Sequence, residues 1–243
     1  MPETTPNAAT PARFTATRWS LVLAAGGGDG QAALVWLCER YWYPLFAYVR
    51  GRGYGREDAE DLVQAFFEKL LADTLVARAE PERGRFRSFL LGCLDHFLAH
   101  EWSRSQRVKR GGRVAFLSLE NVDAEEWLQR HLSAASTPAL DYDRAWALAL
   151  LDRVLARLRA ECEGDGKAGR FAVLQGFIQG DEGALSLAEA AGQLGVSLAA
   201  MKSLVHRLRA RFRELVREEV RETVSSPEEV TAEMQHLFTA FRG

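Results

Sequence analysis

Cysteine is scarce in this 243-residue chain, and its three residues, Cys38, Cys93 and Cys162, share no C-x-x-C spacing. That excludes a disulfide framework and a cysteine zinc ribbon, and predicts buried thiols in a reducing compartment. Lysine is scarcer than arginine: of 31 basic residues only Lys69, Lys109, Lys167 and Lys202 are lysine. Long apolar runs are missing too. The stretch Trp146 to Leu151 is among the longest, far short of a bilayer span. No apolar h-region follows the N-terminus, so no secretory signal is expected and the expected location is cytoplasmic. Alternating polar and apolar strands and Asn-Gly hairpin turns are absent, which removes the β classes. Neither sign of charge dominates: 31 Lys plus Arg stand against 33 Asp plus Glu, a formal net charge of −2. A protein that coats nucleic acid wholesale would be far more basic.

What remains is helical periodicity, and it predicts an all-α protein of two helical domains joined by a linker. Residues 1–17, rich in Pro, Thr and Ala, read as a disordered leader. Helices are expected from Trp19 to the Gly26-Gly27-Gly28 break, over 31–50, after Arg56-Glu57-Asp58, and over 85–107. The third carries the apolar stripe Leu62, Val63, Phe66, Phe67, Leu70 and Leu71. The fourth carries Phe86, Phe89, Leu90, Leu94, Phe97 and Leu98. These make a first domain of residues 18–113. Residues 114–140 are a linker, but one bearing Phe116, Leu117 and Trp127, which a free spacer would not. A second domain over 141–224 opens with a helix through Leu148, Leu151, Val154, Leu155 and Leu158, followed by another over 170–179.

The sharpest local pattern is SLAEAAGQLGVSLAAMKSLVHRLRARFRELV, residues 186–216. Ser186 and Glu189 have capping-box spacing, Gly195 suits a turn that needs positive φ, and Ser197 caps the next helix. Ala191, Leu194, Val196, Met201 and Leu204 or Val205 supply packing between the two helices. From Lys202 to Arg221 seven basic residues face three acidic ones. A capped short helix, a glycine turn and a basic second helix describe a DNA-reading helix-turn-helix. The plain alternative is a helical hairpin with a solvated basic face. The expected base-reading positions are Ala199, Ala200, Lys202, Ser203, His206 and Arg207, with the other arginines on phosphate.

Two further charge patterns stand in the first domain. Glu57, Asp58, Glu60, Asp61, Gln64 and Glu68 give the third helix an acidic and polar face opposite its apolar stripe. The helix dipole accounts for one or two carboxylates at such a start; four suggest a docking surface for a basic partner. Residues 83–113 hold eight basic residues against Asp95 and Glu101, a net of +6, interleaved with aromatics. Arg85, Arg87, His100, Trp102, Arg104, Arg107, Lys109 and Arg110 are the candidate nucleic-acid contacts there, since rings stack bases while guanidinium groups follow phosphates. Most of the phenylalanines are expected in the core, and Trp102 in solvent. His96 and His100 stand at i, i+4, which suits zinc, but no third ligand or H-E-x-x-H order accompanies them, and no metal or cofactor is expected.

Taken together, the acidic DAEDLVQ helix, the GRFRSFLLGCLDHFLAHEWSRSQRVKR helix, a linker and the LAEAAGQLGVSLAAMKSLVHRLR motif resemble a bacterial RNA polymerase sigma factor of the extracytoplasmic-function group. The resemblance implies that residues 58–64 dock on the β′ clamp helices of core RNA polymerase, with the β subunit as a further contact. It implies that residues 86–110 melt and read the minus-ten promoter element, and that Lys202, Ser203, His206 and Arg207 read the minus-thirty-five element. Promoter DNA is then the second partner, and the protein is no enzyme. Leu204 stands where many members have Arg, residues 164–186 are longer than usual, and the tail after Glu222 is an extension. That tail and TRWSLVLAA near the start look like a subgroup associated with serine/threonine kinase signalling, so an inhibitor protein or such a kinase is a further implied partner. Two rival classes are a stand-alone helix-turn-helix regulator and a metal-dependent hydrolase built on the acidic cluster or the histidine pair.

The tail itself predicts a helix over 225–243. Ser226 is its N-cap, Pro227 its first residue and Glu229 its capping-box partner. Val230, Met234, Leu237, Phe238 and Phe241 are expected on the buried side, with Glu233 and Gln235 elsewhere. A helix this short needs burial to persist.

Overall fold

The computed structural model describes residues 30–72, 85–105, 124–131, 137–164, 168–179, 185–224 and 226–240. The expected leader, the Trp19 helix and the basic run Arg107, Lys109 and Arg110 lie outside them. All the described elements are helices: α1 (Gly30–Gly51), α2 (Arg56–Ala72), α3 (Phe86–Ser105), α4 (Ala124–His131), α5 (Pro138–Gly164), α6 (Ala168–Leu174), α7 (Gly176–Gln179), α8 (Leu187–Gln193), α9 (Leu198–Arg221) and α10 (Pro227–Ala240). Among the described residues there is no strand, and no helix is long and apolar enough to cross a membrane.

Helix α1 is the inner post of the fold. Leu37, Tyr41, Leu45 and Val49 recur every fourth residue and are at most 1% exposed. Their stripe meets α5, the partner against which α1 packs most extensively, and α2 closes another side. On α5 the sequence predicts a stripe through Leu148, Leu151, Val154, Leu155 and Leu158. Val154 and Leu158 are buried and Leu148, Leu151 and Leu155 half-buried, while Tyr142, Ala145, Trp146, Ala147 and Leu150, outside that stripe, are buried as well. The difference has a plain cause. Besides α1, α5 touches α4, α6, α9 and α10, so several of its faces are covered rather than one. One continuous cluster of buried side chains therefore runs from α1, α2 and α3 through α5 into α8, α9 and α10. It joins helices that the sequence divides between two domains and the extension.

The 114–140 segment contains α4, and its tryptophan explains its place. Trp127 is buried and stacks on Tyr43, ring centroids 4.9 Å apart. Arg50 donates two hydrogen bonds to Glu125, at 2.9 and 2.8 Å. A linker that carries Trp is thus held down by it. Among the cysteines, Cys38 is buried, while Cys93 and Cys162 are half-buried rather than fully enclosed as expected. All three are free thiols, and burial pushes Cys38 up to about 12, which keeps it protonated and unreactive.

The extension is a helix, as its start signals predict, but it turns a different face inward. Val230, Glu233, Leu237 and Ala240 are buried, whereas Phe238 is 58% exposed. Glu233 was expected in solvent; it is 1% exposed. Its carboxylate accepts from Arg87 Nε at 2.6 Å and pairs with Arg85 Nε at 2.9 Å. These two basic groups compensate a charge that could not otherwise be buried.

The Arg50 hydrogen bonds hold the Glu125 carboxyl below its usual value of 4.5. A folded-state pKa lowered in this way stabilises the docked α4 above the usual value, and the stabilisation fades as pH falls through the folded one. Amide protection in α4, measured by hydrogen exchange across an acid series, should therefore fall below about pH 4.5 ahead of α1. Glu125→Gln should flatten that difference; an unchanged acid dependence would show that the pair does not hold α4.

Candidate functional site

The α8–α9 pair is built by local chemistry that can be followed atom by atom. Ser186 Oγ accepts from the Glu189 N–H at 3.2 Å, and the Ser186 N–H donates to the Glu189 carboxylate at 2.8 Å. The reciprocal bonds start α8 and hold the Glu189 carboxyl below its usual range. Helix α8 ends with Gly195 at φ 62°. The Val196 N–H reaches back to the Ala191 carbonyl at 3.0 Å and the Gly195 N–H to Gly192 at 3.2 Å, which satisfies two of the last carbonyls. Ser197 Oγ then accepts from the Ala200 N–H at 3.2 Å and opens α9. Ala191, Met201 and Val205 are buried, with Leu194, Val196 and Leu204 half-buried around them, so the expected packing set holds the two helices together.

The outward face of α9 carries every expected base-reading position. Ala199, Ala200, Lys202, Ser203, His206 and Arg207 are all exposed, on one side of the helix at i, i+3 or i+4, i+7 or i+8 spacing. Ser203 turns its hydroxyl back to the Ala199 carbonyl at 3.1 Å. Lys202, His206, Arg209 and Arg213 border a cleft of about 360 Å³ floored by Leu187 and Val205. Two of the remaining arginines serve the fold instead. Arg209 donates Nε and Nη2 to the Phe177 carbonyl, at 3.0 and 2.8 Å, and so caps α7. Arg211 bonds Glu161 at 2.9 and 2.8 Å and reaches Glu214 and Glu218, and the Glu161 hydrogen bonds raise its pKa. Lys202, Arg207, Arg213, Arg217 and Arg221 are the other basic residues of α9 that are exposed.

Helix α2 separates its two faces as its spacing predicts. Ala59, Val63, Phe66, Phe67 and Leu70 are buried. Glu57, Asp58, Asp61 and Glu68 are exposed, with Glu60 and Gln64 half-buried between them. Arg56 pairs with Glu60 at 3.0 Å, and Gln64 donates to Glu68 at 3.3 Å. Both are surface contacts along one helix face and leave Asp58 and Asp61 outward.

Helix α3 divides the basic and aromatic residues differently from their reading in sequence. Phe86, Leu90, Leu94, Phe97 and Leu98 are core and Trp102 is 61% exposed, both as expected. Arg87, however, is 5% exposed. Besides Glu233 it bonds Asp143, and its guanidinium lies 5.1 Å from the Trp146 ring centroid. The Tyr142 hydroxyl donates to its backbone carbonyl at 3.0 Å. In this conformation Arg87 is a core residue, not a DNA contact, and Arg85 is drawn to the same carboxylate. Periodicity hides this, because an arginine beside an apolar stripe looks solvated until its partner is known. His96 and His100 are exposed and stack at 4.4 Å between centroids. Among the described residues no group of three or more His, Cys, Asp or Glu is placed to hold a metal. Arg104 lies in the last turn of α3, and Arg107, Lys109 and Arg110 lie outside the described residues.

Glu233 is the residue that sequence reasoning missed. A usable signal was present: 230, 233, 237 and 240 form a regular i, i+3, i+7, i+10 stripe.

Comparison with models of protein families, with curated proteins and with solved structures finds no match to this chain.

A Cβ built on Gly195 meets nothing within 4 Å, so substitution there is opposed by backbone conformation alone. Gly195→Ala should lower stability by about 1–2 kcal/mol, read from urea unfolding. A neutral result would mean that the turn between α8 and α9 does not need its left-handed residue.

Proposed function

We propose that the chain is a sigma factor of the extracytoplasmic-function kind: a cytoplasmic protein that binds core RNA polymerase and directs it to promoters. In this reading it comprises two functional domains. Residues 18–113 dock on the polymerase and serve the minus-ten element; residues 141–224 carry a helix-turn-helix that serves the minus-thirty-five element. The observation that carries the proposal is the pairing of two opposed surfaces in one chain. An outward acidic face on α2 is suited to a basic protein surface, and an outward basic face on α9 follows a capped, glycine-turned helix pair. The exposed Trp102 at the end of α3 adds a ring on which an unpaired base could stack.

Within that division of labour, Lys202, Ser203, His206 and Arg207 select the upstream sequence, while Arg213 and Arg217 contribute phosphate affinity. A second cleft, about 400 Å³, lies where α5, α6 and α9 meet, lined by Leu158, Phe171, Leu174, Leu204 and Leu208 and edged by Arg170 and Arg207. We assign it to the polymerase β subunit, since an apolar floor with a basic edge suits an amphipathic segment. An inhibitor protein or a serine/threonine kinase stays a proposed regulator from the sequence resemblance alone. A stand-alone regulator would need the basic face of α9 but not the acidic face of α2.

Asp58→Ala with Asp61→Ala is the corresponding test. Both side chains are exposed, so helicity should be retained. Affinity for purified core RNA polymerase should fall about tenfold or more, and less at high salt, where the charges are already screened. Unchanged affinity would remove α2 as the docking surface, and binding of duplex promoter DNA with no contribution from polymerase would favour the stand-alone regulator.

A further inference from the structure

We propose that α10 is an intramolecular strap that keeps the chain closed, with the Glu233 carboxylate seated on Arg85 and Arg87 where a DNA phosphate would otherwise sit. The proposal rests on the promoter-recognition reading above and concerns how that activity is restrained.

Size gives the first support. A compact body of the size of the described residues has a radius of gyration of about 15 Å and is about 40 Å across. The minus-ten and minus-thirty-five elements are separated by about 25 base pairs, or about 85 Å of duplex. The body described here cannot touch both. Its α1, α2 and α3 share one buried cluster with α5, α8 and α9, so α3 and α9 belong to a single packed body. The closed form is therefore not the form that spans a promoter.

The second support is what α10 does within that body. Val230, Leu237 and Ala240 seat it on α5 and α9. From this seat Glu233 reaches α3, pairing with Arg87 at 2.6 Å and Arg85 at 2.9 Å. Arg144 of α5 adds a hydrogen bond to the Ala240 carbonyl at 3.2 Å, and His236 approaches Asp143 at 3.0 Å. One helix thus grips both halves, and its acidic residue occupies two arginines at the start of the helix assigned to the minus-ten element. A carboxylate that accepts a hydrogen bond from Arg87 and is ion-paired with Arg85 occupies two cationic groups that a phosphate could also use, so strap and DNA compete for them. Core polymerase shifts the balance only by binding the open form better.

The test is a distance measured in the full-length protein. Bio-orthogonal spin labels go at Gly92 on α3 and Gly192 on α8, where an added Cβ meets nothing within 4 Å. The free wild-type chain should give one short separation, and core polymerase with a promoter fragment should lengthen it. Glu233→Gln and Leu237→Ala should each show a lengthened fraction without polymerase. Each should also reach half-maximal transcription at about tenfold lower protein concentration, because a larger share is already competent. Circular dichroism checks that each variant stays helical, and if Glu233→Gln unfolds, Leu237→Ala and the wild-type chain decide. Folded variants with the wild-type distance and concentration dependence overturn the strap, as does transcription by the wild-type chain at an unlengthened distance. Variants that open while neither they nor the wild-type chain bind polymerase would uphold the strap and refute the promoter-recognition reading instead.

Discussion

Helix α5 buries an arc too wide for any one neighbour to cover, and the fold is arranged around covering it. Tyr142, Trp146, Leu150 and Val154 form one stripe at most 1% exposed, and Ala145 and Ala147, both 0% exposed, extend the buried surface to either side of it. Helix α1 takes the largest share, α9 and α10 take others, and α4 and α6 close the remainder. A helix amphipathic on one face would allow the neighbours on its other faces to leave freely. Here each departure uncovers apolar surface at about 25 cal/mol for every Å². That is why helices from both predicted domains and the extension share a core.

Charge is used in two ways on this scaffold. Inside, arginines bind carboxylates across helices distant in sequence. Arg40 of α1 reaches Glu222 at 2.8 Å and Glu219 at 3.3 Å, and Arg153 of α5 reaches Glu219 at 3.4 Å. With Arg87 and Glu233, these pairs fix which helices meet, since removing one partner of a buried pair costs about 3–5 kcal/mol. Outside, opposite signs are sorted onto α2 and α9. A near-neutral chain can in this way carry one acidic and one basic face, which under the proposed function would meet a protein and DNA respectively.

Much of this is local and was therefore legible. The capping box at Ser186, the glycine at 195, the Ser197 cap and the apolar stripes of α2 and α3 follow from interactions within a few residues. So does the proline-led start of α10, where Glu228 accepts hydrogen bonds from its own N–H and from Ser226. The deviations are non-local. Glu233 has the spacing of a core residue and the charge of a surface one, and only Arg85 and Arg87, about 146 positions away in the case of Arg87, settle the conflict. Phe238 loses its place for the same reason: with Glu233 inward, the helix turns and leaves the ring outside. Arg209 and Arg211 look like phosphate ligands until the Phe177 carbonyl and Glu161 appear beside them. On α5 Leu148, Leu151 and Leu155 have core spacing but are half-buried, because neighbours distant in sequence decide which of its apolar residues are covered.

The central claim is that this chain gives core RNA polymerase its choice of promoter. Run-off transcription with purified core polymerase, on a library randomised across the upstream region, tests it most directly. The account predicts transcripts only when the chain is added, with enrichment of two sequence blocks about one promoter spacing apart. The upstream block should change when Lys202 or His206, both exposed on α9, is substituted, because the proposed function assigns its reading to them. No chain-dependent transcript, or transcripts enriched for no sequence at all, would contradict it.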